Sequence, residues 1–269
     1  MLYFKILITL PYFLNMFRKS RSMTKKILRN PNSVEEEKRY IWIHRINRYF
    51  LWLQGIKIVP HDYQNWIDKK CLIVANHQSN YDPSVLLRLN DFKRVAPIAF
   101  IAKKELKTAR IFKNFVQLID VIFLDRENPR QAVEVLNKAS NLIRIPRAMV
   151  LFPEGTRSKS YEVGEFKGSF LKIAQKANAP IIPVSIVNSF KARKKKYVHI
   201  IFHKPLKPSS FLTKNTEVLS KQLKETIVAG IEENKNITRK QSKKLYKQHK
   251  KRLKGKNKQA TDVGMDLKI

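Results

Sequence analysis

From residue 56 to about residue 205 the chain alternates short runs of branched apolar residues with stretches of helical period, and this alternation limits the fold more than any other feature. The runs are Ile56–Val59, Cys71–Ala75, Val95–Ala102, Ile119–Leu124, Ala148–Phe152, Ile181–Val187 and Val198–Phe202. Between them Pro83–Asn90, Lys104–Val116, Pro129–Ile145 and Ser169–Asn178 read as helices, the third opened by Asn128 as cap and Pro129 in its first turn. Nearly continuous Val/Ile/Leu strands need apolar cover on both faces. The pattern therefore predicts an α/β domain with a mixed, largely buried sheet flanked by helices. Asn215–Glu233 carries Val218, Leu219, Leu223, Ile227, Val228 and Ile231 at helical spacing and reads as a closing helix.

The ends differ from this middle. Met1 to Phe17 is apolar apart from Lys5, Thr9 and Asn15, contains Pro11, and is followed by Arg18, Lys19 and Arg21. Its uninterrupted part, Ile6 to Phe17, is shorter than the roughly 20 residues a bilayer span needs, so it is expected to lie in the interface or insert shallowly. Glu35–Gln54 reads as a helix capped by Asn32 or Ser33 and stopped by Gly55. Its Ile43, Ile46, Phe50 and Leu53 are flanked by Trp42, Tyr49 and Trp52 and interleaved with Lys38, Arg39, Arg45 and Arg48, a composition suited to a membrane surface. Packing on the domain core is the competing reading. Lys235–Lys258 holds twelve lysines and arginines and no acid, so it is expected to be disordered or weakly helical, adhering to anionic lipid or simply solvated. The expected organisation is a membrane-associating region over 1–55, an α/β domain over 56–233 and a basic tail over 234–269.

Fifty-five Lys+Arg against 21 Asp+Glu give a net charge of +34, a field that attracts polyanions: nucleic acid, an anionic bilayer, phosphorylated substrates or an acidic carrier protein. The sequence shows no aromatic RNA-binding pattern, zinc-finger spacing or helix-turn-helix signal, so nucleic acid is the weaker partner reading. One cysteine, Cys71, permits no intrachain disulfide and no multi-thiolate metal site, which suits a reducing, cytoplasm-facing location. The seven glycines form neither a dinucleotide turn nor a P-loop, and there is no H-E-x-x-H pair.

Two segments carry chemistry. The run Cys71–Ala75 enters Asn76-His77-Gln78-Ser79-Asn80-Tyr81-Asp82, which puts a histidine at a strand end and an aspartate five residues later at a helix start. A carboxylate on one imidazole nitrogen fixes the tautomer and stabilises the cation formed when the other accepts a proton. A His–Asp pair that does not serve a protein serine or cysteine nucleophile can instead deprotonate a hydroxyl of the substrate. The second segment, Phe152-Pro153-Glu154-Gly155-Thr156-Arg157-Ser158, also follows a strand and offers hydroxyls, a guanidinium and backbone amides suited to phosphate. Lys103 and Arg126 each end a further apolar run. Ligands of α/β sheets sit at the carboxyl ends of strands, so His77, Lys103, Arg126 and Arg157 are expected around one crevice.

These segments resemble the glycerolipid acyltransferase family typified by 1-acyl-sn-glycerol-3-phosphate acyltransferase. Its blocks occur in order: Asn76–Asp82 as N-H-x4-D, Val121–Arg126 as a strand ending in arginine, Phe152–Ser158 as F-P-E-G-T-R-S and Ala179–Val184 as A-P-I-I-P-V, with Ala102–Leu106 matching A-K-[KR]-E-L. Where the family usually has F-K-x-G-A-F, Phe166–Phe170 is one residue shorter. The resemblance implies His77 as general base with Asp82 as its orienting partner, and Lys103, Arg126 and Arg157 as holders of the acceptor phosphate. It further implies that Glu154, Gly155 and Thr156 shape the acceptor pocket, with Asn76 and Pro183 in support, although a proline at a sheet edge is an equal reading of Pro183. The implied reaction is transfer of a fatty acyl group from acyl-CoA or acyl carrier protein to the 2-hydroxyl of lysophosphatidic acid, with no cofactor and no metal, at the cytoplasmic face of the cell membrane. A glycerol-3-phosphate acceptor, or another lysophospholipid, is the alternative within the same fold.

Overall fold

The computed structural model describes residues 2–67, 69–92, 95–108, 113–125 and 128–261. Helices α1 (Leu2–Arg29) and α2 (Glu36–Gln54) precede strands β1 (Lys57–His61) and β2 (Cys71–Ala75). Helix α3 (Asp82–Leu89), strand β3 (Ile98–Lys103), helix α4 (Lys113–Val116), strand β4 (Asp120–Leu124), helix α5 (Pro129–Arg144) and strand β5 (Ala148–Leu151) follow. Helix α6 (Lys172–Ala177), strand β6 (Ile181–Val187), helix α7 (Ala192–Lys195), strand β7 (Tyr197–Phe202) and helices α8 (Thr216–Asn234) and α9 (Arg239–Thr261) complete the described elements.

All seven apolar runs pair into one sheet of order β1-β7-β6-β2-β5-β3-β4. Strands β6, β2, β5, β3 and β4 are mutually parallel, whereas β7 runs antiparallel to β6 and parallel to β1. The carboxyl ends of the five-strand block therefore share a rim with the amino ends of β1 and β7. Successive side chains of a strand point to opposite faces. On β2, Cys71, Ile73 and Ala75 join a core with α1, α2 and α3, while Leu72 and Val74 join one with α5, α6 and α8. Both faces are covered, as continuous apolar strands demand.

Helix α2 spends its apolar stripe on the sheet: Tyr40, Trp42, Ile43, Ile46 and Leu51 are buried, and Trp52 is the aromatic residue left half exposed. It starts one residue after Glu35, with no side-chain cap, because Asn30 instead caps a 3-10 turn at Pro31–Ser33; Gly55, at φ +69°, stops it as expected. The apolar surface facing solvent lies on α1, where Ile6, Leu7, Ile8, Leu10, Tyr12 and Leu14 are exposed while Met16, Ser20 and Thr24 face inward. No described helix is long and apolar enough to cross a membrane.

Two expectations change and a third narrows. Where one helix was expected over Lys104–Val116, the described residues form a 3-10 turn at Lys104–Lys107 and the short α4; the turn's side chains are all exposed, so it has no buried face to hold it as a longer helix, and residues 109–112 lie outside the described part. On α8, capped by the Asn215 side chain, Leu219, Leu223, Ile227 and Ile231 are buried but Val218 is exposed. Of the two states expected for the basic segment, disordered or weakly helical, Arg239 to Thr261 takes the helical one, with a stripe of Ser242, Leu245, Tyr246 and His249 turned inward. Ser242 Oγ lies 3.0 Å from His199 Nε2, and Tyr246 meets Tyr197 edge to face at 6.0 Å. Residues 262–269 lie outside the described part.

Candidate active site

Strand β2 ends at Ala75, and the next residues turn into α3, whose first residue is Asp82. The Asp82 side chain is fully buried, and its Oδ2 accepts from His77 Nδ1 at 2.7 Å and from the backbone N–H groups of Gln78 and Ser79 at 2.7 and 2.8 Å. Oδ1 accepts from Ser79 Oγ at 3.3 Å. An ionised carboxylate only accepts, so the His77 proton belongs on Nδ1 and the Nε2 lone pair stays available. Nε2 has no hydrogen-bond partner among the described residues, and the ring keeps 18% of its side-chain surface open. Phe152 stacks on the imidazole with centroids 4.4 Å apart and planes 24° from parallel, which limits its rotation.

The backbone of His77 is held from β5, the neighbour of β2 in the sheet. Its N–H donates to Glu154 Oε1 at 2.6 Å, and its carbonyl accepts from Ser158 N–H at 2.8 Å. Glu154 Oε2 accepts from Gly164 N–H at 2.8 Å, so the carboxylate bridges the histidine turn and the loop after β5. Burial pushes the Glu154 pKa up from its ordinary value, and the two N–H donors oppose that shift. Gly155 sits at φ +70° in this turn, in the left-handed region that suits glycine. On the other flank, Asn76 exchanges two hydrogen bonds with Ile186 of β6, donating at 3.0 Å and accepting at 2.7 Å. Gln78 Oε1 accepts from Ser189 N–H at 3.3 Å. The turn that bears His77 is thus tied to both adjacent strands.

The arginine of the second segment reaches the first: Arg157 Nη1 donates to Asn80 Oδ1 at 2.7 Å, with both residues exposed. Thr156 is exposed beside it. Lys103 ends β3 on the same rim, exposed and two strands from His77. Arg126 lies outside the described residues. Pro183 is not at a sheet edge: it is buried mid-strand on β6, opposite Val74 of the strand that leads to His77, and its carbonyl accepts from His203 N–H at 3.0 Å. Phe152, Asn80, Gln78 and Gly164 make site contacts that sequence reasoning did not assign. Phe152 and Asn80 stand inside the two recognised segments, whereas Gly164 carried no signal. Among the described residues no group of three or more His, Cys, Asp or Glu is placed to hold a metal ion.

The family model described as Acyltransferase matches residues 54–187. The "Probable 1-acyl-sn-glycerol-3-phosphate acyltransferase" of Mycoplasma pneumoniae is 36% identical over 221 residues, 77% of this chain and 83% of that protein. Its Mycoplasma genitalium counterpart of the same name is 37% identical over 76% of this chain and 81% of its own length. Among solved structures, the 1-acyl-sn-glycerophosphate (LPA) acyltransferase PlsC of Thermotoga maritima matches with a TM-score of 0.64 and 26% identity, over 87% of this chain and 97% of that one.

Proposed function

The chain belongs to the 1-acyl-sn-glycerol-3-phosphate acyltransferase family, and from that premise we propose that it transfers a fatty acyl group from a thioester donor to the 2-hydroxyl of 1-acyl-sn-glycerol-3-phosphate. The product is phosphatidic acid, which places the reaction in phospholipid synthesis, and the donor is acyl-CoA or acyl carrier protein. The observation that carries this reading is the imidazole of His77, backed by a buried carboxylate at 2.7 Å and free at Nε2.

In the proposed reaction Nε2 takes the hydroxyl proton as the acceptor oxygen bonds to the thioester carbonyl carbon. Asp82 stabilises the imidazolium so formed. When the tetrahedral intermediate collapses, the carbon–sulfur bond breaks and the thiolate takes the proton back from Nε2. General base and acid action of this kind contributes about 10²–10⁴-fold. Arg157, Lys103 and Arg126 hold the acceptor phosphate, which fixes the 2-hydroxyl against His77 and lowers the entropic part of the barrier.

Acceptor and acyl chain both live in a bilayer, and α1 supplies the means to meet them. Its exposed residues include Leu7 at 71% and Leu14 at 50%, with Trp52 of α2 at 50% and Lys5 Nζ 4.6 Å from the Trp52 ring. An apolar face bordered by an indole and by cations lies in the interface plane of an anionic membrane. The protein is proposed to sit there peripherally, on the cytoplasmic side, with the basic α9 adding electrostatic attraction.

The test is acceptor choice. Purified protein in mixed micelles, given lysophosphatidic acid, glycerol-3-phosphate and lysophosphatidylcholine in parallel with each thioester donor, is expected to turn over lysophosphatidic acid fastest. Faster acylation of either other acceptor contradicts the assignment.

A further inference from the structure

Resting on that reading of the function, we propose that the basic run Lys191–Lys196 is the docking surface for an acidic carrier protein that presents the acyl thioester. The run reads Lys191-Ala192-Arg193-Lys194-Lys195-Lys196, and only Ala192 of the six is buried. None of its five cations forms an ion pair with a described residue. Neutral groups orient several of them without cancelling charge. Arg193 Nε donates to Tyr81 Oη at 3.1 Å, Lys195 Nζ donates to Tyr161 Oη at 3.2 Å and to the Lys235 carbonyl at 3.3 Å, and Lys191 Nζ lies 4.8 Å from the Tyr161 ring centre.

Strand order gives this charge its place. The run follows β6, which flanks β2 on one side, while β5, β3 and β4 lie on the other. Lys103 ends one strand of that second group and Arg157 follows another, so cations stand on both sides of His77 in the strand order. Tyr81, which Arg193 touches, immediately precedes Asp82, and Ser189 beside the run holds Gln78 of the histidine turn. Two anionic substrates must meet at His77, and the acceptor phosphate accounts for only one side.

The chemistry of the surface selects the occupant. The Lys196 carbonyl accepts from Lys57 N–H at 2.8 Å, Lys57 Nζ lies 5.4 and 5.5 Å from the Tyr197 and Tyr246 ring centres, and Lys250 Nζ lies 5.5 Å from that of Tyr246. Cations therefore continue from α7 to the start of β1, with Lys250 of α9 beside them. Within the run itself the one apolar residue is the buried Ala192, so the run carries nothing that a bilayer contact inserts. An exposed cationic run without apolar content, unpaired among the described residues, matches the acidic face of a soluble protein.

The test compares one acyl chain carried by acyl carrier protein and by CoA, using the full-length protein and the variants Lys194→Glu/Lys196→Glu and Lys194→Gln/Lys196→Gln. For the glutamate variant KM toward the carrier protein is expected to rise about tenfold at low ionic strength, less for the glutamine variant, with the gap closing as salt is added. Kinetics with acyl-CoA are expected to stay within about twofold. An unchanged KM for the carrier protein, an equal loss with both donors, or a wild type that uses CoA and never the carrier protein overturns the proposal. Reduced binding to phosphatidylglycerol vesicles at unchanged KM reassigns the strip to lipid. A wild type inactive with both donors overturns the proposed function itself.

Discussion

Replacing Glu154 by glutamine separates two roles for this carboxylate: contact with the acceptor, or bracing of the general base. Each oxygen already accepts a backbone N–H, from His77 at 2.6 Å and from Gly164 at 2.8 Å, and the residue is 8% exposed. Glutamine keeps the shape but offers one oxygen, so one of the two N–H groups faces an amide NH2. A hydrogen bond to a charged group is worth about 1.5–3 kcal/mol, and a buried donor left unmade adds to the loss. We expect a destabilisation of about 2 kcal/mol, read as a Tm lower by about 4 °C. The kinetic consequence follows from which bond survives. If the amide oxygen turns to Gly164, the His77 turn loses its anchor, and a displacement of about 1 Å at a reacting group costs on the order of 10² in rate. The assay is steady-state turnover of lysophosphatidic acid with acceptor concentration varied, beside thermal unfolding. Lower kcat with KM for the acceptor within about twofold fits a positioning residue. Raised acceptor KM at unchanged kcat and unchanged Tm refutes the reasoning, because it puts Glu154 against the acceptor.

Three further outcomes follow from the same geometry. Asp82→Asn keeps the volume but removes the charge that stabilises the imidazolium, so kcat should fall by about 10²–10⁴ with little change in KM; a loss below about threefold contradicts the dyad. Arg147→Met removes the partner of Asp120, held at 2.6 Å, and of Glu36, and should cost about 2 kcal/mol by urea denaturation, less than a fully buried pair because Glu36 is partly in water; an unchanged midpoint refutes it. Burial, with His61 and Lys195 nearby, holds the His199 pKa at about 4, below the 6.5 of an exposed imidazole. The unfolded chain takes that proton first as pH falls, so stability is complete above about 6.5 and drops by roughly 3 kcal/mol on the way to pH 4. Tm measured across that window should fall less steeply in a His199→Gln variant; identical slopes contradict this source.

How far the sequence could be read depended on where the deciding contacts lie. The limits of β2 and β6 follow from Cys71–Ala75 and Ile181–Val187 because both strands are buried on both faces, so every residue but Ser185 bears the apolar signal. The closeness of His77 and Asp82 was legible because one turn of chain separates them. The grip of Glu154 on His77 was not, since it depends on β5 lying beside β2, and strand order leaves no mark on either segment. Stacking of Phe152 on His77 was hidden for the same reason. The packing of helix α9 was not legible because its inward stripe is half polar: Ser242 and His249 occupy positions where periodicity looks for leucine. Helix α2 looked ready for a membrane because aromatic residues suit both a headgroup layer and a core, and only packing distinguishes them. Trp42 shows the difference, buried with its indole N–H donating to Ser20 Oγ at 2.9 Å.

The central claim is that the free nitrogen of a carboxylate-backed imidazole removes the acceptor's proton. Its most direct measurement is the initial rate of phosphatidic acid formation by His77→Ala, with vesicle co-sedimentation of the same preparation as control. The account predicts turnover lower by about 10²–10⁴-fold while vesicle binding matches wild type. A His77→Ala protein that forms phosphatidic acid at the wild-type rate contradicts it.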